Sequence, residues 1–336
     1  MKTIVCERPG LLTLEERAQP VPQPGEVLIR VRRVGVCGTD LHIYAGRQPY
    51  LQYPRVMGHE FSGEVVQAPE SSTLRPGDPV YVMPYLSCGD CIACRKDKPN
   101  CCVRIQVLGV HTDGALAEYV SVPERFVLAA DGISLDEAAM IEFLAIGAHA
   151  VRRGVPRSGE RALISGAGPI GIAVALFARM DGAEVTLMDV REDRLAFCRE
   201  QLGFTSTVQV GPDDEAQLSA RHGGEGFDLV FDATGNPAAM ERGFAFVAHG
   251  GRYVLVSIVG SEIRFSDPEF HKRETTLLAS RNAAPQDFAR VHAAMRAGQL
   301  PTAALASHRL SLDSLPQSFE GLLDPAAQVV KAIVEV

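Results

Sequence analysis

Cys88-x2-Cys91-x2-Cys94-x7-Cys102 gathers four thiols in one short segment, spaced so that a compact lobe can wrap a tetrahedral ion. Four thiolates close the coordination shell of zinc, so the segment, about residues 86–104, reads as a structural zinc lobe and not a catalytic centre. Cys101 beside Cys102 leaves the fourth ligand open by one position. An iron–sulfur cluster or a group of free thiols is the alternative that four cysteines allow, although nothing else in the chain points to electron transfer. Cys6 and Cys198 sit in apolar runs, as buried thiols do.

A second chemistry is carried by Ser165-Gly166-Ala167-Gly168-Pro169-Ile170-Gly171, which follows a strand-like run and opens a helix-like one. Its three glycines suit a tight turn, a close backbone approach to pyrophosphate and close helix–strand packing, while the helix N-terminus supplies N–H donors and a positive dipole end. Asp189 ends the next strand-like run, eighteen positions past Gly171 (189 − 171). A carboxylate there binds ribose hydroxyls. The alternative is a glycine-rich turn of another α/β protein with an ordinary surface aspartate. Asp189 favours NAD over NADP, because a 2′-phosphate brings roughly −1.5 to −2 charges against it. Arg191 and Arg194 argue the other way, since an arginine near this site accommodates that phosphate.

Two textures of sequence must position these groups. Up to about residue 130 short β-like runs (26–34, 61–67, 79–83, 117–122) are separated by proline and glycine, the pattern of an irregular all-β domain. From residue 160 strands and helices alternate: strand 161–165, helix 170–180, strand 184–189, helix 191–202, then strands 227–232, 252–258 and 275–279. That rhythm predicts an α/β domain with a doubly wound parallel sheet. A helix over 285–298 and a last β-like run over 328–336 follow, and this run either returns to the first domain or extends the parallel sheet.

Composition narrows the partners. A chain of 336 residues with 46% hydrophobic residues can bury two cores, and a net charge of −8 is opposite to a nucleic-acid footprint. The apolar run at the N-terminus breaks too early for a signal-peptide core, and 170–180 is too short to span a bilayer. The expectation is a cytoplasmic protein acting on a small molecule, with no nucleic acid and no membrane.

Gly35-Val36-Cys37-Gly38-Thr39-Asp40-Leu41-His42 and Gly58-His59-Glu60, taken with the cysteine lobe and the glycine turn, resemble the zinc-dependent medium-chain dehydrogenases of the alcohol dehydrogenase family. Within it the chain is similar to the branch of polyol, threonine and sugar-acid dehydrogenases. The resemblance runs over essentially the whole chain, in order. It implies a GroES-like β-rich catalytic domain over 1–147 and 281–336, a Rossmann domain over 148–280, two zinc ions per chain, NAD as cofactor and a homodimer or homotetramer.

By matched position, the resemblance makes Cys37 and His59 ligands of a catalytic zinc, with Glu60 an exchangeable ligand. The third ligand is Glu142, in Ile141-Glu142-Phe143, where the family usually has proline after the glutamate. Thr39 takes the substrate's hydroxyl proton and relays it through the cofactor ribose to His42, and Asp40 orients His59. Lys331 takes the place of a basic residue that reaches the pyrophosphate, Arg194 serves the adenosine ribose, and Val256 joins the cofactor contacts. Apart from the resemblance, His111, in Gly109-Val110-His111-Thr112-Asp113-Gly114, lies near the expected cleft and is either a substrate contact or an ordinary loop side chain.

Three protein ligands leave zinc one open position, where it lowers the pKa of a hydroxyl so that the carbon can pass hydride to a nicotinamide. The implied reaction is reversible oxidation of a secondary alcohol to a ketone. A glutamate ligand with Ser280-Arg281-Asn282 resembles the enzymes of sugar alcohols and sugar acids. The rivals are a threonine dehydrogenase, whose pattern Cys37 to Tyr44 shares, and a non-catalytic nucleotide-binding or redox-sensing protein on the same fold. The last would have lost a catalytic ligand, and none is missing.

Overall fold

The computed structural model describes residues 1–48 and 51–336. The chain divides into two compact units, Met1–Phe143 with Ala284–Val336, and Leu144–Ala283.

The first unit is built on strands. β1 (Lys2–Arg8) and β2 (Leu11–Glu16) form an antiparallel hairpin. β3 (Glu26–Val36) leads into α1 (Gly38–Tyr44), followed by β4 (Glu60–Gln67) and β5 (Pro79–Val82). β6 (Tyr85–Leu86) and β7 (Gln106–Val107) pair across the base of the cysteine lobe, and β8 (Tyr119–Pro123) and β9 (Val127–Ala129) complete the run. β3 is the hub. It is rich in β-branched residues, most of its side chains are buried, and it pairs with both β4 and β8. α2 (Ile141–Gly154) starts in this unit and continues into the second.

In the second unit β10 (Arg161–Ser165) is followed by α3 (Pro169–Met180), β11 (Glu184–Asp189), β12 (Thr207–Gln209), β13 (Phe227–Asp232), β14 (Val247–Leu255) and β15 (Thr276–Ala279). All pair in parallel, in the order β12-β11-β10-β13-β14-β15. Strand order reverses between β10 and β13, and the crevice at the C-terminal ends of such strands is where doubly wound sheets bind ligands. Ala162, Leu163 and Ile164 are fully buried, which is why β10 reads as a continuous apolar run and not an alternating one.

β16 (Ala306–Ser311) and β17 (Lys331–Glu335) close the chain. β17 lies antiparallel to β3, Ala332 opposite Val36 and Val334 opposite Val34, so the last strand belongs to the first unit. Strand ends shift by a few residues from the sequence reading, most of all in β14. β14 begins at Val247, five residues before the expected start, because its ladder with β13 runs through an irregularity ahead of Gly250 and Gly251. It ends at Leu255, short of residue 258, where Val256 turns to bond Asp232 O. Among the described residues no helix is long and apolar enough to cross a membrane.

Candidate active site

β3 delivers Cys37 to the N-cap of α1, where the backbone switches from extended to helical. Asp40, buried in the first turn of α1, accepts the Cys37 N–H at 2.9 Å and the Gly58 N–H at 3.3 Å. One carboxylate thereby ties together the two segments that carry Cys37 and His59. Glu60 opens β4 in register with Gly35, and a Cβ at Gly35 would stand 2.5 Å from Glu60 Oε2. Only glycine leaves that carboxylate its place. The ligand atoms of Cys37, His59 and Glu60 all lie within 4.8 Å of one another.

The electrostatics of the cluster fit a cation. Burial pushes the Cys37 thiol up, and Glu60 adds to the shift. Burial opposes a charge on His59, but the Asp40 carboxylate and Cys37 outweigh it and hold the imidazole well above its ordinary pKa. Anionic donors that favour a proton also favour a metal dication, which explains how they tolerate desolvation. Glu142 is the clearest case. Burial pushes its carboxyl up to about 7, Tyr85 donates its hydroxyl to Oε1, and Oε2 is buried with no partner. His59 Nδ1 is likewise buried without a hydrogen bond, 3.7 Å from Asp40 Oδ1. Orphaned polar atoms of this kind are costly unless a ligand completes them. A thiolate, an imidazole and carboxylates form a donor set that suits zinc.

The sequence-derived residues are placed as follows. Glu142 lies outside the 4.8 Å set, though its charge acts on His59. Asp40 is too far from His59 for a hydrogen bond and acts on it by charge and by fixing its backbone. Thr39 is half-buried and His42 exposed, one turn apart on α1. Burial, with Arg47 nearby, lowers the His42 pKa. Lys331 is bound to Glu60. It is 1% exposed, and Nζ donates to Glu60 Oε2 at 2.6 Å, Glu60 Oε1 at 2.9 Å and Val36 O at 3.3 Å. An ammonium has three donors. Here they face the two oxygens of the Glu60 carboxylate and Val36 O. The cause is topological, because β17 and β4 flank β3 and bring Lys331 and Glu60 to adjacent positions.

Two residues of the site carried no signal of their own in the sequence. Tyr85 is an unremarkable tyrosine until the fold brings it to Glu142. Phe143, noted only as a departure from the usual proline, lays its ring 4.4 Å from Lys331 Nζ. That contact gives the departure a purpose.

In the cysteine lobe the sulfurs of Cys88 and Cys94, Cys91 and Cys94, and Cys88 and Cys102 are 3.9, 3.5 and 3.4 Å apart. A tetrahedron of thiolates at the usual zinc distance has edges of about 3.8 Å. Cys102 is buried in the cluster and Cys101 is exposed outside it, so Cys102 is the one placed with the other three sulfurs. Backbone N–H groups of Cys94 and Val103 hold the Cys91 thiol down at about 6, and the N–H groups of Cys88 and Arg104 point at Cys102 Sγ. Such donors favour thiolate.

The glycine turn has the form that pyrophosphate binding requires. Gly166 has φ +96°, and a Cβ on Gly171 would sit 1.7 Å from Gly166 O. A Cβ on Gly168 would meet nothing, which leaves open space over the N-terminus of α3, with Pro169 and Ile170 as its first residues. Asp189 accepts the N–H of Ala167 at 2.6 Å and of Arg191 at 2.8 Å, so it braces the turn as well as facing it. Arg191 is paired with Asp193, whereas Arg194 keeps Nη1 buried without a partner. Val256 is half-buried just past the end of β14, near the C-terminal edge of the sheet. Ser280 is buried with its hydroxyl unpaired, and Asn282 takes a positive φ of 51°.

Residues 23–132 match the alcohol dehydrogenase GroES-like domain, and residues 169–297 match the zinc-binding dehydrogenase family. The L-galactonate-5-dehydrogenase of Escherichia coli (strain K12) is 41% identical over 335 residues, covering 99% of this chain and 98% of its own. An L-threonine 3-dehydrogenase of Streptomyces coelicolor (strain ATCC BAA-471 / A3(2) / M145) is 38% identical over 274 residues, 78% of each chain. Among solved structures, an alcohol dehydrogenase, rspB, from E. coli CFT073, complexed with NADH, has a TM-score of 0.93 at 29% identity, covering 100% of this chain and 99% of that one.

Proposed function

The chain belongs to the zinc-type alcohol dehydrogenase family, with a GroES-like and a Rossmann-type domain, and from that premise we propose that it oxidises a secondary hydroxyl of a sugar acid to a ketone, using zinc and NAD. The observation that carries this reading is the convergence of Cys37, His59 and Glu60, together with Glu142, whose Oε2 is buried without a partner, in the unit that also holds a separate four-cysteine lobe. The L-galactonate-5-dehydrogenase, a relative that matches nearly end to end, is named for an aldonate, which supports a sugar acid over threonine as substrate.

Cys37, His59 and Glu142 would hold the catalytic zinc, and Glu60, neutralised by Lys331, would stand beside it as the exchangeable ligand. When bound, the ion supplies a Lewis acid that acidifies the substrate hydroxyl, and the nicotinamide supplies the hydride acceptor. The protein's own groups do the rest. Thr39 Oγ1 would accept the hydroxyl proton only as it releases its own, and His42, exposed one turn later, would pass a proton on to water. A lowered pKa keeps His42 neutral, and so able to accept, at neutral pH. The N–H groups at the start of α3 bind the pyrophosphate. Asp189 has lone pairs beyond the two already used and accepts the ribose hydroxyls.

Metal analysis tests the assignment of the two sites. The wild-type chain is expected to carry two zinc ions, and Cys37→Ala to keep one and lose turnover. A Cys37→Ala protein with full zinc and full activity would put the catalytic centre elsewhere.

A further inference from the structure

Glu142 stands in the first turn of α2, and a chain of short contacts joins that turn to the metal cluster. Phe143, the next residue, lays its ring 4.4 Å from Lys331 Nζ, which is 2.6 Å from Glu60 Oε2. A Cβ on Gly35 would lie 2.5 Å from Glu60 Oε2 and 3.1 Å from Ala139 O, so the backbone just ahead of α2 abuts the same carboxylate. The charges of His59 and Glu60 both act on Glu142.

The two oxygens of Glu142 are unequal. Tyr85 donates its hydroxyl to Oε1, and Oε2 is buried without a partner. A phenol keeps its proton at neutral pH, so Oε1 is engaged as an acceptor and the lone pairs of Oε2 are those left to a cation.

The fold, and not Glu142, holds the tyrosine. Tyr85 lies opposite Val107 in the pairing of β6 with β7 at the base of the cysteine lobe. Its ring meets Phe288, on the helix Pro285–Arg296, edge to face, with centroids 6.1 Å apart and planes at 72°. Both rings are buried. This packing uses the ring and leaves the hydroxyl to Glu142, so Tyr85→Phe separates a role in packing from a role through the carboxylate.

We propose that Tyr85 is a positioning residue of the catalytic zinc, its hydroxyl occupying Glu142 Oε1 so that the glutamate offers Oε2 to the metal in a fixed direction. The inference rests on the reading of Glu142 as the third ligand and deepens it, since a ligand's affinity depends on the hydrogen bond that orients it. It also gives the short strand β6 a task at each end: Leu86 leads toward Cys88 of the lobe, and Tyr85 reaches back to the other metal site.

Chelator competition on the zinc-loaded protein, with the retained zinc counted, tests this without recourse to turnover. Tyr85→Phe keeps the ring and its contacts. It is expected to hold one zinc ion about 10–100-fold more weakly, while the ion of the cysteine lobe stays as firm as in the wild type. A role confined to packing would cost the same whatever stands at position 142, whereas a role through the carboxylate disappears with it. Adding Tyr85→Phe to Glu142→Ala should therefore cause no further weakening. With cobalt(II) in place of zinc, the visible bands that Cys37→Ala removes should shift in Tyr85→Phe, because ligand geometry sets them. The proposal is overturned if Tyr85→Phe retains both ions like the wild type, if it costs as much in Glu142→Ala as it does alone, or if those bands do not move. A Glu142→Ala protein that retains both ions like the wild type removes Glu142 from the metal and the proposal with it, whereas a weakened Glu142→Ala beside an unchanged Tyr85→Phe removes the role of Tyr85 alone.

Discussion

Lys331 and Glu60 form a buried ion pair at the edge of the metal cluster, and breaking such a pair on one side leaves a desolvated charge. Lys331→Met is therefore expected to destabilise the protein by about 3–5 kcal/mol, and adding Glu60→Gln to restore most of the loss. Thermal denaturation of the single and double variants reads this directly; a Lys331→Met protein that melts with the wild type would mean that Glu60 has another neutralising partner. That Cys37 and His59 come together was legible in the sequence because their motifs are local: a few residues fix both the side chain and the turn that presents it. Tyr85 and the Lys331–Glu60 pair were not. Their partners lie 57 and 271 positions away, and only the order of strands brings them together.

At the level of elements the glycine turn makes the sharpest statement. Gly171→Ala would drive a methyl to 1.7 Å from Gly166 O, so the loop and the start of α3 could not both keep their places. NADH titration followed by fluorescence should show binding lost, and wild-type affinity would contradict the role assigned to the turn. β13 adds a prediction in pH. Asp232 is fully buried at its C-terminal end, and burial pushes its pKa from 3.8 up to about 6. The folded state then binds the proton more tightly than the unfolded chain, so this stabilisation is complete below the ordinary pKa and lost as pH rises through about 6. Asp232→Asn should accordingly stabilise by up to about 3 kcal/mol at pH 8 and by less at pH 5, as read from denaturant midpoints; an equal effect at both values would show that Asp232 is ionised throughout. The parallel strands were legible because burial on both faces makes them unbroken apolar runs. β12 was not, since its three residues, Thr207–Gln209, carry no measurable period. Nor could period place β17, because a strand buried on both faces suits either sheet; pairing with β3 decides it.

For the whole molecule, composition excluded partners more readily than it named them: acidity and two apolar cores left a small-molecule enzyme, and the metal and nucleotide motifs made it a dehydrogenase. The substrate was the least legible feature, because no local motif of the chain names it. The central claim, that these parts work together as a zinc- and NAD-dependent sugar-acid dehydrogenase, is tested most directly by following NADH formation when aldonates are added to the zinc-loaded protein with NAD. NADH should accumulate with an aldonate, far more slowly with threonine, and not at all in Cys37→Ala. Turnover of threonine with none of any aldonate, or wild-type turnover in Cys37→Ala, would contradict it.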